Sequence, residues 1–340
     1  MAKKRILSGM RPTGQLHIGH YFGALVNWVA LQDEFDAFYM VADWHALTSE
    51  YKDSGKIAAC SRDNVADWIA CGLDPNKSTI FIQSHVPEHS ELHLILSCVT
   101  PLGWLERVPT YKDALKELEA KGVDNYAFLG YPVLQAADIL LYKGDCVPVG
   151  QDQLAHLELT REIVRRFNGI FGKEVFPEPQ PRLTKVSLLT GLDGRKMSKS
   201  YDNGILLSEE EAPLRKKVLS MFTDPARKRR TDPGHPDVCN VFTWHKIFSA
   251  APRVPEIEAA CKGATIGCID CKGEVADRLA AFLKPIREAR HELLAKPKEL
   301  DQIIGDGTVK ARRIAAETMR EVREVVFKTA APGRASGTPS

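Results

Sequence analysis

The sequence predicts an α/β fold, a doubly wound parallel sheet followed by a smaller all-helical domain, and three observations carry that reading. Short apolar runs alternate with helix-period segments up to about residue 205, each run ends in polar or glycine-rich residues, and strand-like runs stop beyond Glu209.

Ile6 and Leu7 open the first strand, which stops at Ser8-Gly9-Met10-Arg11-Pro12-Thr13-Gly14. A helix follows, because Ile18, Tyr21, Phe22, Leu25, Trp28 and Val29 recur at three and four residues. Ala37 to Ala42 reads as a second strand ending in Asp43, and Thr79 to Ile82 as a third ending in Gln83-Ser84, with a helix around Ile57 to Ile69 between them. Pro132 to Leu141 is helical, Val147-Pro148-Val149-Gly150 is a further strand tip, and a helix from about Gln153 to Phe167 covers the sheet again. Phe176-Pro177-Glu178-Pro179-Gln180-Pro181 then breaks the chain before a loop carrying Gly191 to Ser200. This order is Rossmann-like and collects polar groups at successive strand ends, where open α/β sheets bind ligands. Residues 1–205 therefore form one expected domain. Residues 206–329 form a helical one, on periodic segments around Ala212 to Met221, Val241 to Phe248, Glu274 to Leu294 and Val309 to Val326, with the chain free to return to the base of the first domain near its end. Ala330 to Ser340 has nothing to pack and reads as a frayed tail.

At 340 residues, 44% hydrophobic and 26% charged, the chain can bury one large core or two ordinary ones. Its formal charge of +2 neither demands nor excludes a nucleic-acid partner, because binding depends on where charges sit. Eight cysteines in so long a chain do not make a disulfide scaffold, and Met1-Ala2-Lys3-Lys4 leads into a strand without an apolar leader. No apolar run approaches the roughly 20 residues that span a bilayer. A cytoplasmic, reduced protein without a membrane segment is expected.

Two motifs point to a nucleotide. Pro12-Thr13-Gly14-Gln15-Leu16-His17-Ile18-Gly19-His20 sets two histidines three apart at a helix start, with Gly19 between them removing a side chain where a ligand can stack. Their ring nitrogens can donate to phosphate oxygens beside the helix N-terminus, and neither need be a base. A bare His-x-x-His pair more often caps or packs beside a turn, and zinc lacks a third ligand nearby. Gly194-Arg195-Lys196-Met197-Ser198-Lys199-Ser200 supplies two lysines that can neutralise a pyrophosphate leaving group, although such a loop alone reads as a solvated basic one.

Together the two motifs resemble the His-Ile-Gly-His and Lys-Met-Ser-Lys-Ser signatures of class I aminoacyl-tRNA synthetases. Gly9 to Gly14, Ala42-Asp43-Trp44-His45-Ala46, Tyr131 to Leu140 and Val147 to Gln153 are similar to segments of the bacterial tryptophanyl-tRNA synthetases, and the likeness runs from Ile6 to about Val326. The resemblance implies activation of tryptophan with ATP and Mg²⁺ and transfer to tRNA(Trp) by a homodimer whose C-terminal helical domain binds the anticodon. It implies that His17, His20, Lys196 and Lys199 stabilise the transition state, with Lys112 as a further cation. ATP would meet Met10, Arg11, Pro12, Thr13, Gly19, His20, Gly150, Gln151 and Asp152, besides Lys196, Met197, Ser198, Lys199 and Ser200. Tyr131 and Gln153 would hold the α-amino end, and Val147, Val149 and the stem of Gln135 would line the side-chain pocket, though the valines read equally as strand core.

Asp138 lies on a helical face marked as buried by Leu134, Ala137 and Leu141, where a carboxylate is costly unless something donates to it. The resemblance assigns that donor as the indole N–H, whereas a protein donor such as a lysine or backbone group would serve a purely structural acid. A phenylalanine would leave the carboxylate unpaired, an error that sites can reject by about 10⁴ to 10⁵ without editing.

Cys239, Cys261, Cys268 and Cys271 form C-x₂₁-C-x₆-C-x₂-C, and a local C-x₂-C beside glycines often places two thiolates on one metal centre. The chemistry leaves Zn²⁺ and a [4Fe-4S] cluster open. Resemblance to the cluster-bearing subset of these synthetases favours [4Fe-4S]. Cys60, Cys71, Cys98 and Cys146 read as small core residues, and Arg227-Lys228-Arg229-Arg230 as a solvated loop able to contact tRNA phosphates. The competing functions are a tyrosine–tRNA ligase of the same subclass, a tRNA-independent adenylyltransferase, and an iron-sulfur nucleic-acid-binding protein whose synthetase core has lost activity.

Overall fold

In the computed structural model the described residues are 3–108, 125–183 and 189–328, without the side chains of Asp152 and Ser200. Strand β1 (Arg5–Met10) feeds the helical stretch α1 (Ile18–His20), a π-helical turn (Tyr21–Leu25) and α2 (Val26–Leu31). Strand β2 (Asp36–Val41) leads to α3 (Asp43–Glu50) and α4 (Gly55–Ala70), then β3 (Ser78–Ile82), α5 (Glu88–Val99) and the single-turn α6 (Leu102–Leu105). Helices α7 (Tyr126–Leu129) and α8 (Tyr131–Leu141) precede β4 (Cys146–Val149), α9 (Leu154–Phe171) and β5 (Gln180–Leu183). The rest is helical: α10 (Glu211–Leu219), α11 (Asn240–Phe248), α12 (Arg253–Lys262), α13 (Cys268–Ala295) and α14 (Pro297–Phe327).

The five strands run parallel in the order β3-β2-β1-β4-β5. Alternate residues serve opposite faces, as strand geometry requires. Ile6, Tyr39, Val41 and Ile80 pack on one side with Leu16, Ile18, Ile205, Leu207 and the α13 residues Leu279 and Leu283. Leu7, Phe38, Met40 and Phe81 pack on the other with Leu140, Tyr142, Ile163 and Phe167, joined by Ala311, Ala315 and Met319 of α14. Helix α14 therefore crosses the β3 edge of the sheet and serves both cores.

Two elements differ from the sequence reading. The proline-rich stretch is not only a break: Gln180–Leu183 pairs with β4, and Pro181 is tolerated because β5 is an edge strand with no outer neighbour needing its missing N–H. The first helix is interrupted by the π-turn directly after His20, a feature invisible to a pattern that counts only apolar spacing.

The crossing of α14 over β3 depends on Gly307. A Cβ there would lie 1.8 Å from the Ile80 carbonyl oxygen, so helix backbone rests directly on strand backbone and covers the exposed sheet edge. Helix propensity alone makes Gly→Ala stabilising by about 1 kcal/mol. The clash reverses the sign: Gly307→Ala is expected to destabilise the protein by about 3 kcal/mol, measured by denaturant unfolding. A raised midpoint would show that α14 does not sit this close.

Candidate functional site

The loop after β1 and the loop before α10 interlock around the two histidines. Ile18 N donates to Ile205 O at 2.9 Å and Leu207 N to Leu16 O at 2.9 Å, so residues 16–18 and 205–207 run side by side. Gly14 has φ of 123°, which swings its carbonyl toward Lys199, whose Nζ donates to it at 2.8 Å. The His17 amide donates to His20 Nδ1 at 3.1 Å, which leaves the proton of a neutral His20 on Nε2, available to a ligand. The two rings lie 3.8 Å apart. Burial first, then the Lys199 ammonium, pulls His17 down to about 4; burial, His17 and Lys199 pull His20 down to about 3. Both imidazoles are thus neutral hydrogen-bonding groups at pH 7. His17 Nδ1 is buried without a partner among the described residues.

A Cβ at Gly19 would lie 2.9 Å from the His17 ring and 3.3 Å from Met197 Sδ, so the missing side chain also makes room for these two neighbours. Met197 is the buried wedge of its loop, closing also on Gly204. The loop is organised by Asn203, which the sequence reading overlooked: its Oδ1 accepts from Ser198 N at 2.9 Å, and its Nδ2 donates to Asp193 Oδ1 at 2.8 Å and Lys196 O at 3.1 Å. The two lysines part company, Lys199 being half-buried against Gly14 and Lys196 exposed.

Beside this turn lies a cavity of about 480 Å³, within the range of small-molecule sites. Tyr131, Gln135, Asp138, Val147, Val149 and Gln153, all expected from the sequence, line it together with Gly9, Arg11, His45, Thr48, Phe128 and Pro148. Tyr131 Oη pairs with His156 Nε2 at 2.8 Å. Of the remaining expected nucleotide contacts, Met10 ends β1, Pro12 is buried, Thr13 is exposed, and Gly150 and the exposed Gln151 follow β4, outside the cavity lining. Lys112 and the side chains of Asp152 and Ser200 lie outside the described residues.

Asp138 is buried, and its partners are neither a lysine nor backbone. Its Oδ1 receives Gln83 Nε2 and His89 Nδ1, each at 2.7 Å, and its Oδ2 receives His45 Nε2 at 2.8 Å. Burial pushes the carboxyl up, but the donors from His45 and His89 overcome it and hold it at about 2. An ionised carboxylate only accepts, so both histidines donate to it, and His89 Nε2 then accepts from Tyr142 Oη at 2.8 Å. Gln83 and His89 hold the inner oxygen from behind, while Asp138 and His45 face the cavity. Among the described residues three of the four lone-pair directions of the carboxylate are filled, which leaves one acceptor position.

The four spaced cysteines gather at the start of α11, the end of α12 and the first turn of α13. Burial, then Cys239, Cys261 and Cys268, push the Cys271 thiol up to about 12. Arg227 turns inward instead of outward to solvent: Nη1 approaches Cys261 Sγ at 3.9 Å and Cys268 Sγ at 3.8 Å, while Nη2 donates to the Arg230 and Ile266 carbonyls at 2.8 Å. Lys228, Arg229 and Arg230 stay exposed. His245 Nε2 lies 3.2 Å from Cys271 Sγ, and a Cβ at Gly234 would lie 2.4 Å from Cys261 Sγ. Among the described residues no three His, Cys, Asp or Glu side chains stand at metal-holding separations. The other cysteines are less buried than expected: Cys60, Cys71 and Cys146 are half-buried, and Cys98 is exposed on the outer side of α5. No described helix is long and apolar enough to cross a membrane.

The chain matches the family of class I tRNA synthetases for W and Y over residues 2–284. It is 52% identical to the tryptophan–tRNA ligase of Thermotoga maritima, covering 95% of this chain and 98% of that one. With the tryptophan–tRNA ligase of Aquifex aeolicus it shares 43% identity over 95% and 99% of the two chains. The structure of tryptophanyl-tRNA synthetase from Campylobacter jejuni, complexed with ADP and tryptophan, superposes with a TM-score of 0.87 at 38% identity, covering 95% of this chain and 99% of that one. With the interlocked His-x-x-His and lysine loops and the adjoining cavity, these likenesses establish that the chain belongs to the tryptophanyl-tRNA synthetases of class I.

Proposed function

We propose that this protein joins L-tryptophan to tRNA(Trp) at the expense of ATP, releasing AMP and diphosphate, through tryptophanyl-adenylate. The observation that carries the reading is Asp138, an ionised acceptor with one position open among the described residues on the wall of a cavity of about 480 Å³ that Gly9 and Arg11 also line. An indole N–H fills that position, and the apolar walls of Val147, Val149 and Pro148 accept the ring. The tryptophan carboxylate oxygen attacks the α-phosphorus of ATP, a new O–P bond forms, and the bond to the β-phosphate oxygen breaks with pyrophosphate leaving. No protein nucleophile is needed; the chain orients the reactants and stabilises the spreading negative charge. Neutral His17 and His20 donate hydrogen bonds without an extra charge, and Lys199 and Lys196 neutralise the leaving group. Mg²⁺ enters with ATP, held chiefly by its phosphates. Tyr131 and Gln153 hold the ammonium end of the amino acid.

ATP–pyrophosphate exchange with each amino acid in turn is the test. Tryptophan alone should stimulate it; stimulation by tyrosine alone would make the protein a tyrosine–tRNA ligase, and exchange without either an adenylyltransferase of another kind.

For the second half of the chain the proposal is an anticodon-binding unit from residue 206 to 329 and a homodimer in the cytoplasm, with Lys228, Arg229 and Arg230 offered to tRNA phosphates. Cys239, Cys261, Cys268 and Cys271 suit a thiolate-ligated group: Arg227 Nη1 stands beside Cys261 and Cys268 to offset negative sulfur, and Gly234 leaves beside Cys261 the room a side chain would take. We assign them a [4Fe-4S] cluster with a structural role, on the likeness of their spacing to the cluster-bearing subset. Anaerobically purified protein should show broad visible absorbance with iron and sulfide in equal amounts, whereas stoichiometric zinc alone would overturn the assignment.

A further inference from the structure

Helix α13 grips the histidine turn from two sides at positions one turn apart. Arg290, buried at 6% exposure, donates from Nε to Asp67 Oδ1 at 2.6 Å and reaches Asp63 Oδ2 at 3.2 Å, both on α4. Asp67, at 1% exposure, also takes a backbone N–H from Leu16, the residue immediately before His17. On the other side Arg287 Nη1 donates to the Glu209 carbonyl at 2.9 Å. The Glu209 carboxylate accepts from Leu206 N at 3.2 Å, and Leu206 bridges His17 in the antiparallel pairing of the two loops. The links are hydrogen bonds, an ion pair and one backbone bridge, and Arg290 and Asp67 are buried charges. Burial pushes the Asp67 carboxyl up to about 6 against the pull of Arg290, so its charge leans on that guanidinium.

We propose that Arg290 and Arg287 are positioning residues for amino-acid activation: acting through Asp67 and Glu209, they fix the Leu16–Ile18 segment and so set His17 and His20 against the nucleotide. None of these four residues lines the tryptophan cavity, so their effect falls on the chemical step and not on amino-acid binding. A misplacement of about 1 Å far from the reacting atoms can cost about 10² in rate, which sets the scale. The inference rests on the reading that the two imidazoles face ATP.

The test is tryptophan-dependent ATP–pyrophosphate exchange on the full-length protein, with tryptophan affinity and thermal unfolding measured beside it. Arg290→Met and Asp67→Leu should each lower kcat by about tenfold or more while the tryptophan Kd stays within about threefold. The neutral pair Asp67→Asn with Arg290→Met strands no buried charge but still lacks the Arg290 contact, so its thermal unfolding should recover while its kcat stays low. Should the Arg290 variants fail to fold, Arg287→Met keeps the question open to experiment, since its partners are the Glu209 carbonyl and the exposed Glu210 carboxylate and no buried charge is orphaned. It too should lower kcat without changing tryptophan affinity. Wild-type kcat in Arg287→Met, losses of kcat and tryptophan affinity in equal measure, or wild-type kcat in the neutral pair would each overturn the inference. Absence of exchange in the unmodified protein would instead overturn the proposed function.

Discussion

Asp138→Asn is expected to lower kcat/KM for tryptophan by about 10³ or more, with the ATP KM held within about threefold. The carboxylate is surrounded by donors: Gln83 and His89 on one oxygen, His45 on the other, with the indole N–H proposed as the fourth. An asparagine replaces one of those oxygens with an NH₂ that can only donate, so at least one buried N–H faces another. Leaving a buried polar group unsatisfied costs about 1 to 3 kcal/mol, before the substrate's own bond is counted. Stability should fall as well, because the network ties α3, the end of β3, α5 and α8 into one polar knot inside an apolar wall. The same knot carries a pH signature. A carboxyl held at about 2, below its ordinary value, contributes stability that is fully present above the ordinary carboxylate range and is lost as pH falls toward about 2. The wild-type protein should therefore lose stability on acidification through that window more steeply than Asp138→Asn does. A loss of tryptophan activity below tenfold in Asp138→Asn would sink the assignment of this acid to the substrate.

The parts of this site that could be read in the sequence are those whose partners lie close along the chain. The His17–His20 pair, the lysine loop and the strand ends are local patterns, and the central strands read as near-continuous apolar runs because both sheet faces are buried. Asp138 could be recognised as a buried acid, but its partners could not: His45, Gln83 and His89 stand 93, 55 and 49 residues away. Asn203 is hidden for a similar reason, since a polar residue in a loop looks solvated until the three hydrogen-bonding neighbours of its side chain are placed around it. Arg227 differs from the solvated loop that its sequence suggests, because a run of four cations reads as one surface feature whereas its first member reaches the thiols. The prolines near β5 hid a strand because edge position, which makes Pro181 harmless, is a property of the sheet and not of the segment. Chemistry that depends on residue type was legible; the shell that orients it depends on topology.

Lys199→Ala should lower the kcat of tryptophan-dependent pyrophosphate exchange by about 10², with the tryptophan Kd within about threefold. In the structure the Lys199 ammonium donates to the Gly14 carbonyl and is half-buried, and burial lowers its pKa from the ordinary lysine value. Such a cation is already stripped of much of its water. Exchanging a neutral carbonyl for a phosphate oxygen that gains negative charge during attack therefore strengthens the interaction most in the transition state, which is the condition for an effect on kcat. Lys196 offers the contrast: it is exposed, its charge is screened by water, and Lys196→Ala should cost less than Lys199→Ala in the same assay. Raising the salt concentration should separate them further, because screening weakens an exposed charge more than a half-buried one. Equal losses from the two substitutions, or a loss of tryptophan affinity that matches the loss of kcat, would mean that the loop acts as a diffuse basic surface and that the Gly14 contact has no part in the chemistry.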